Sequence, residues 1–271
     1  MIGTIIGDIA GSRFEGDESV SKDFEFFSDK CIFTDDSVIS LAICNALMKS
    51  KSDYSNLGEL AIQSMQNLGR LYPGRRYGMK FKRWLSSADP QPLNNFGNGA
   101  AMRVGGCGYV GQTVDEVKRL SKIVTEVTHN HPEGLKGAEA AAVAVFLART
   151  GKSKEEIKYY INSNYYSFNF TLDSIRETFC FDPTCQGTVP QALEAFFEST
   201  DFEDAIRNAV SLGGDTDTLA AITGSVAEAF YGVPAILKEK ALAFLDERLL
   251  KILLDFENKF PAKIIGQKMI V

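Results

Sequence analysis

Two short stretches gather acidic and hydroxyl side chains at the spacing a cation site needs. Residues 33–37 read FTDDS, and residues 213–218 read GGDTDT, with Asp35 and Asp215 about 180 positions apart. Each runs directly into an apolar segment of helical period, so Thr34-Asp35-Asp36 and Asp215-Thr216-Asp217-Thr218 both stand at helix N-termini. Asp, Ser and Thr are the favoured capping residues, and the helix dipole favours acids in the first turn. Capping uses one such side chain, however, not three or four. Each extra carboxylate in a partly buried site adds repulsion of about 4 kcal/mol at about 4 Å and an effective dielectric near 20. A bound cation removes that cost. Oxygen donors without thiolate or imidazole suit Mg²⁺, Mn²⁺ or Ca²⁺ and disfavour zinc. An EF-hand loop starting at Asp215 fails, because Ala220 and Val226 stand where Gly and Glu are required. Two acid clusters on separate helices predict instead two adjacent ions sharing a carboxylate. Such a pair orients a substrate, polarises its oxygens and generates hydroxide at neutral pH.

Three further stretches are polar in a way that invites a role. Both histidines of the chain fall in THNHPEG at 128–134, where they are read as ligand contacts or loop hydrogen bonds. The segment NNFGNGAAMRVGGCGYVGQT at 94–113 is rich in small residues. Gly106-x-Gly108-x-x-Gly111 within it matches a dinucleotide fingerprint, but no convincing strand precedes it. Gly106 to Thr113 also resembles a P-loop, with Gln112 where lysine is required. What survives is that GNGAAMR can bring backbone N–H groups to a phosphate, with Arg103 for charge or packing. Finally, GDIAGSRFEG at 7–16 sets Glu15 in a Gly-bounded segment, where by itself it is a solvated loop acid.

The elements that must position these residues read as helices. Capping-box patterns begin at Thr113 with Glu116, Ser153 with Glu156, and Thr200 with Glu203, each followed by an apolar stripe. Residues 135–149 are apolar nearly all round, as in a buried central helix. Residues 189–198 form a helix with Pro190 in its first turn, and Pro234 opens an amphipathic stretch to about Lys259. The best strand candidate is NYYSFNF at 164–170, which equally fits an irregular loop. The fold class is therefore all-α, in one compact domain over residues 1–271, since no linker or charge block divides the chain.

Bulk composition narrows the partners. A net charge of −6 argues against nucleic acid or an anionic membrane surface, though not against a phosphate held by a metal or a helix N-terminus. The five scattered cysteines lack C-x-x-C pairing, which argues against a zinc knot or a disulfide framework. The N-terminal run MIGTIIGDIAG has no basic flank and is broken by Asp8, and the longest apolar stretch, 140–148, is about half a membrane span. A soluble, cytoplasmic protein is expected.

Taken together, GDIAGSRFE, FTDDS, GNGAAMRV, THNHPEG and GGDTDT resemble, in order, the motifs of the ADP-ribosylglycohydrolase family, across residues 7 to 218. The resemblance implies an all-α fold with two Mg²⁺ or Mn²⁺ ions. It implies Thr34, Asp35, Asp36, Asp215, Asp217 and Thr218 as metal ligands, and Glu15 as the glutamate near the scissile bond. Asn98, Gly99, Ala100 and Ala101 match the loop holding the diphosphate, and His129 matches the histidine beside the ligand. YPGRRYGMKF at 72–81 is also similar to the family but receives no role. The implied activity is hydrolysis of the glycosidic bond between ADP-ribose and an acceptor, reversing mono-ADP-ribosylation of a protein. The competing expectations are a non-catalytic ADP-ribose-binding or structural relative, and a di-metal hydrolase of another nucleotide.

Overall fold

The site is held by a contact between the first helix and the twelfth. The computed structural model describes residues 1–261, which form fourteen α-helices and no strand beyond a single bridge between Gly97 and Thr184. The first helix, α1 (Ile2–Gly11), is buried on every side and packs antiparallel on α12 (Thr216–Tyr231). Glycine permits this approach. A Cβ on Gly7 would lie 2.0 Å from the Ala220 carbonyl oxygen, and one on Gly11 would lie 2.4 Å from that of Thr216. The C-terminal end of α1 thereby meets the acidic N-terminal end of α12. α2 (Asp35–Lys49) brings its own acidic entry to the same point, with Thr34 as its cap.

The remaining helices enclose this meeting point. They are α3 (Leu57–Leu71), α4 (Met79–Ser86), α5 (Gly105–Val110), α6 (Val114–Glu126), α7 (Pro132–Arg149), α8 (Lys154–Asn164), α9 (Leu172–Ile175), α10 (Cys185–Phe197), α11 (Phe202–Ser211), α13 (Ala235–Leu242) and α14 (Glu247–Lys259). Buried apolar side chains from α1 through α14 form one continuous cluster. α7 is the central apolar helix expected at 135–149, and it begins three residues earlier, with Pro132 in its first turn and His131 as cap. Among the described residues no helix is long and apolar enough to cross a membrane. All five cysteines are free, and only Cys180 is exposed.

Several sequence expectations shift for identifiable reasons. The 189–198 helix starts at Cys185, because the Thr184 hydroxyl accepts from the Gly187 N–H; Pro190 therefore lies in the second turn. The stretch from Pro234 splits in two, since the Asp246 carboxylate accepts from the N–H groups of Arg248 and Leu249 and starts a new helix. Around Thr200 the reciprocal pattern moves one residue on: Asp201 caps α11, and Asp204 accepts from the Thr200 N–H at 2.9 Å. Ser153 with Glu156 forms the full box; at Thr113 the Glu116 carboxylate takes the Gln112 N–H instead. NYYSFNF is irregular once α8 has ended at Asn164. The glycine run at 105–111 is mostly buried helix, where Gly108 lets α5 touch α7.

Candidate active site

The two acidic helix entries converge, and that of α2 is capped by Asp8 and Thr34 rather than by its own surplus acids. Asp8, near the end of α1, accepts four hydrogen bonds from the entry of α2. They come from the Thr34 N–H at 2.8 Å, its hydroxyl at 2.6 Å, the Ser37 N–H at 3.1 Å, and the Ser37 hydroxyl. Three of those bonds fall on Oδ2 and one on Oδ1. Thr34 Oγ1 in turn accepts from the Asp36 N–H at 3.3 Å, so α2 is capped without Asp35 or Asp36. Asp215 holds the N-cap position of α12 but makes no capping hydrogen bond with its side chain. Its carboxylate accepts instead from Asn98 Nδ2 at 2.7 Å.

Carboxylate oxygens of Asp8, Asp36 and Asp217 lie within 4.8 Å of one another, and so do those of Glu15, Asp215 and Asp217. Thr218 donates its hydroxyl to Asp36 Oδ2 at 3.2 Å. Asp36 Oδ1 is buried and has no hydrogen-bond partner among the described residues. Burial pushes Asp36 and Asp217 well above the ordinary carboxylate range, and neighbouring acids push them further. Asp35, on the cavity wall, is pushed up to about 8 by burial first and by Asp8 second. An orphaned carboxylate oxygen, an all-oxygen donor set and acids reluctant to ionise together fit a hard divalent cation. Such a cation turns the repulsion into coordination. Asp8 holds the α2 entry in place chiefly through Oδ2, while its Oδ1 accepts a single hydrogen bond, from the Thr34 hydroxyl.

Above the acids opens a cavity of about 340 Å³. Glu15 reaches it from the single 3₁₀ turn that follows α1, and the glycines of GGDTDT fix that turn. Gly213 and Gly214 adopt φ of +77° and +71°, and Gly214 exchanges backbone hydrogen bonds with Gly16 and Asp17 at 2.8 and 2.7 Å. Arg76 donates to Glu15 Oε2 and to the Ser12 carbonyl, both at 2.6 Å, and its guanidinium lies 3.7 Å from Asp217. Burial raises the Glu15 pKa, partly opposed by Arg76. Arg76 itself has φ +62°, a backbone conformation costing a non-glycine residue about 1–2 kcal/mol that these contacts offset.

Asn98, beside Asp215, and Gly99 and His129 also line the cavity, and the aromatic rings of Phe96 and Phe181 stand at 40% and 47% exposure. The loop expected to present several free N–H groups does so less than its composition implied. The N–H groups of Asn98, Ala100 and Ala101 are bonded internally, to Pro183, Gly97 and Asn98. Ala100 and Ala101 are buried in the core, and like Thr34 they are not on the cavity wall. His131, the other histidine, accepts the Glu133 N–H at 3.1 Å and packs its ring on Phe96, a loop-building role.

The ADP-ribosylglycohydrolase family model matches residues 1–262. The chain belongs to that family. ADP-ribosylhydrolase ARH3 from Gallus gallus is 25% identical, covering 90% of this chain and 88% of its own. The human ARH3 is 23% identical over 87% of this chain. ADP-ribosylarginine hydrolase Tri1 from Pseudomonas putida is 24% identical, over 88% of this chain and 71% of its own. A solved structure described as an ADP-ribosylglycohydrolase-related protein complex has a TM-score of 0.70 at 22% identity, covering 95% of both chains, and shows the same fold. This ADP-ribosylglycohydrolase thus brings together five of the six acids and hydroxyls singled out in its sequence, with Glu15, Asn98, Gly99 and His129 around one cavity. Thr34 stands directly behind them, on Asp8.

Two residues at the site had no role in the sequence-based analysis. Asp8 registered only as an interruption of an apolar run; an acid inside so apolar a helix was itself the signal. Arg76 sits in the unassigned YPGRRYGMKF, and nothing in its local pattern distinguishes it from Arg75, which lies over the Phe33 ring instead.

Proposed function

We propose that the protein hydrolyses the glycosidic bond joining ribose C1″ of ADP-ribose to an acceptor on a protein, and so reverses mono-ADP-ribosylation. The observation that carries this reading is the gathering of Asp35, Asp36, Asp215, Asp217 and Thr218 with Glu15 on the wall of one cavity, where the oxygens of Glu15, Asp215 and Asp217 lie close enough to share a cation. Asp35, Asp36, Asp215, Asp217 and Thr218 would hold two Mg²⁺ or Mn²⁺ ions, with Thr34 maintaining the entry from which two of them project. Such ions supply Lewis-acid polarisation of ribose hydroxyls and acidify a water.

The chain's own residues do the rest. Glycoside cleavage passes through an oxocarbenium-like transition state, in which a proton must leave the attacking water and reach the departing group. Glu15 stands at the edge of the acid cluster, where burial raises its pKa above the ordinary carboxylate value, the direction a proton-exchanging group requires. Arg76 holds the Glu15 carboxylate in place through one short bond and is itself anchored on the Ser12 carbonyl. Gly99 leaves room on the cavity wall for a diphosphate to lie against the backbone, and Phe96 and Phe181 offer apolar rings for an adenine to stack upon.

The test is product identity. Incubation with mono-ADP-ribosylated protein should release intact ADP-ribose. Release of AMP or phosphate would assign the site to phosphoester hydrolysis of a nucleotide instead.

A further inference from the structure

Among the described residues Arg103 is the largest fully buried side chain, with one edge on the cavity wall, yet no carboxylate lies within ion-pair distance of it. Its guanidinium rests at the C-terminal end of α6, 3.4 and 3.5 Å from the carbonyl oxygens of Val124 and Thr125, where the helix dipole is negative. Its one short hydrogen bond, 2.6 Å, goes to Thr128 Oγ1. That same oxygen lies 2.7 Å from Nδ1 of His129. Three side chains thus form a chain from the core to the cavity wall.

The direction of the protons along this chain follows from what each group can do. Arginine only donates, so the Thr128 oxygen accepts from it. The hydroxyl then has one proton to place, either on the Thr125 carbonyl at 3.4 Å or on His129 Nδ1 at 2.7 Å. The shorter contact is the better hydrogen bond, and an oxygen accepting from a guanidinium is a stronger donor. The positive charge of Arg103 also favours an imidazole whose lone pair faces it and whose N–H points away. Nδ1 therefore accepts and Nε2 carries the hydrogen. Burial, together with Arg103, holds the ring's pKa well below its usual value, so the ring is neutral. Nε2 bonds to no described residue and faces Gly99, 3.7 Å from where a Cβ would stand.

We propose that Arg103 and Thr128 are positioning residues that lock His129 in its Nε2–H tautomer, making it a fixed hydrogen-bond donor to an acceptor oxygen of bound ADP-ribose. The ligand named here rests on the function proposed above; the tautomer does not. A ring so fixed recognises a phosphate or ribose oxygen and rejects a donor group in the same place.

With only two histidines, a long-range ¹H–¹⁵N spectrum of the ligand-free protein resolves both rings. The expected result for His129 is a protonated Nε2 and an unprotonated Nδ1. Thr128→Val keeps the shape and removes the hydroxyl. It should release the tautomer preference and weaken ADP-ribose binding about three- to tenfold, the size of one hydrogen bond. Thr128→Ser should restore both. A wild-type His129 protonated at Nδ1 would overturn the proposal, as would a folded Val variant that keeps the wild-type spectrum and affinity. Should the Val variant not fold, the wild-type and Ser spectra decide the tautomer. Failure of the wild-type protein to bind ADP-ribose at all contradicts the proposed function instead, and leaves the spectrum to judge the tautomer.

Discussion

At the scale of single residues, the acids divide by what they already bond to. Asp8 accepts four hydrogen bonds from Thr34 and Ser37, whereas Asp36 keeps a buried oxygen with no partner among the described residues. Asp36→Asn should therefore abolish the thermal stabilisation that Mg²⁺ or Mn²⁺ confers, and yet raise the melting temperature in chelator. The gain should be about 2–4 °C for each kcal/mol that keeping a buried carboxyl protonated no longer costs the folded protein. A lower melting temperature in chelator would show that the acids do not repel in the cation-free protein. Glu15→Gln removes the proton-exchanging group while keeping its size. Turnover should fall roughly 10²-fold or more with ADP-ribose affinity nearly unchanged, measured by calorimetry alongside product release. The acids were legible in the sequence because they exceeded what caps require. Asp8 left a signal, an acid within an apolar run, that names no partner until the chain is folded, and Arg76, one of two adjacent arginines, left none.

At the scale of elements, the decisive feature is the close approach of α1 to α12. Gly7→Val would force a side chain into the Ala220 backbone, which has no room to yield. The variant should lose about 3 kcal/mol or more of stability in urea denaturation. It should also bind Mn²⁺ more weakly, because the same contact brings Asp8 and α2 to α12. An unchanged midpoint would mean that the helices can separate without cost. Helix existence followed from periodicity and caps; α7 and the Ser153 box stand where their patterns put them. Boundaries were less legible, because the winning cap is chosen in three dimensions. Asp201 displaced Thr200, Thr184 moved the start of α10 ahead of Pro190, and Asp246 divided the last stretch. Glycines 3, 7 and 11, four apart, held the packing information, but such a stripe names no partner helix.

At the scale of the whole molecule, the buried acid cluster costs stability in the cation-free protein. Asp36 and Asp217 in the folded, cation-free protein keep protons that the unfolded chain releases near 3.8, and Asp35 keeps its proton up to about 8. Stability in chelator should therefore fall as pH rises towards 8, by about 1.4 kcal/mol per pH unit for each acid still protonated. His129, whose pKa is depressed, acts in the opposite sense, but only below its ordinary 6.5. Melting curves between about pH 7 and about pH 8 isolate the acids, and added Mg²⁺ or Mn²⁺ should raise the midpoint more at the upper end. A midpoint indifferent to pH in chelator would contradict the buried repulsion. The central claim, a cation-dependent ADP-ribosyl hydrolase centred on Asp217, has a more direct test. Free ADP-ribose would be measured after incubation with arginine-, serine- and acetyl-linked substrates, with Mg²⁺ or Mn²⁺ and with chelator, for the wild type and Asp217→Ala. The account predicts release from at least one linkage, lost in chelator and in the variant. Release that persists in chelator, or in Asp217→Ala, would contradict it.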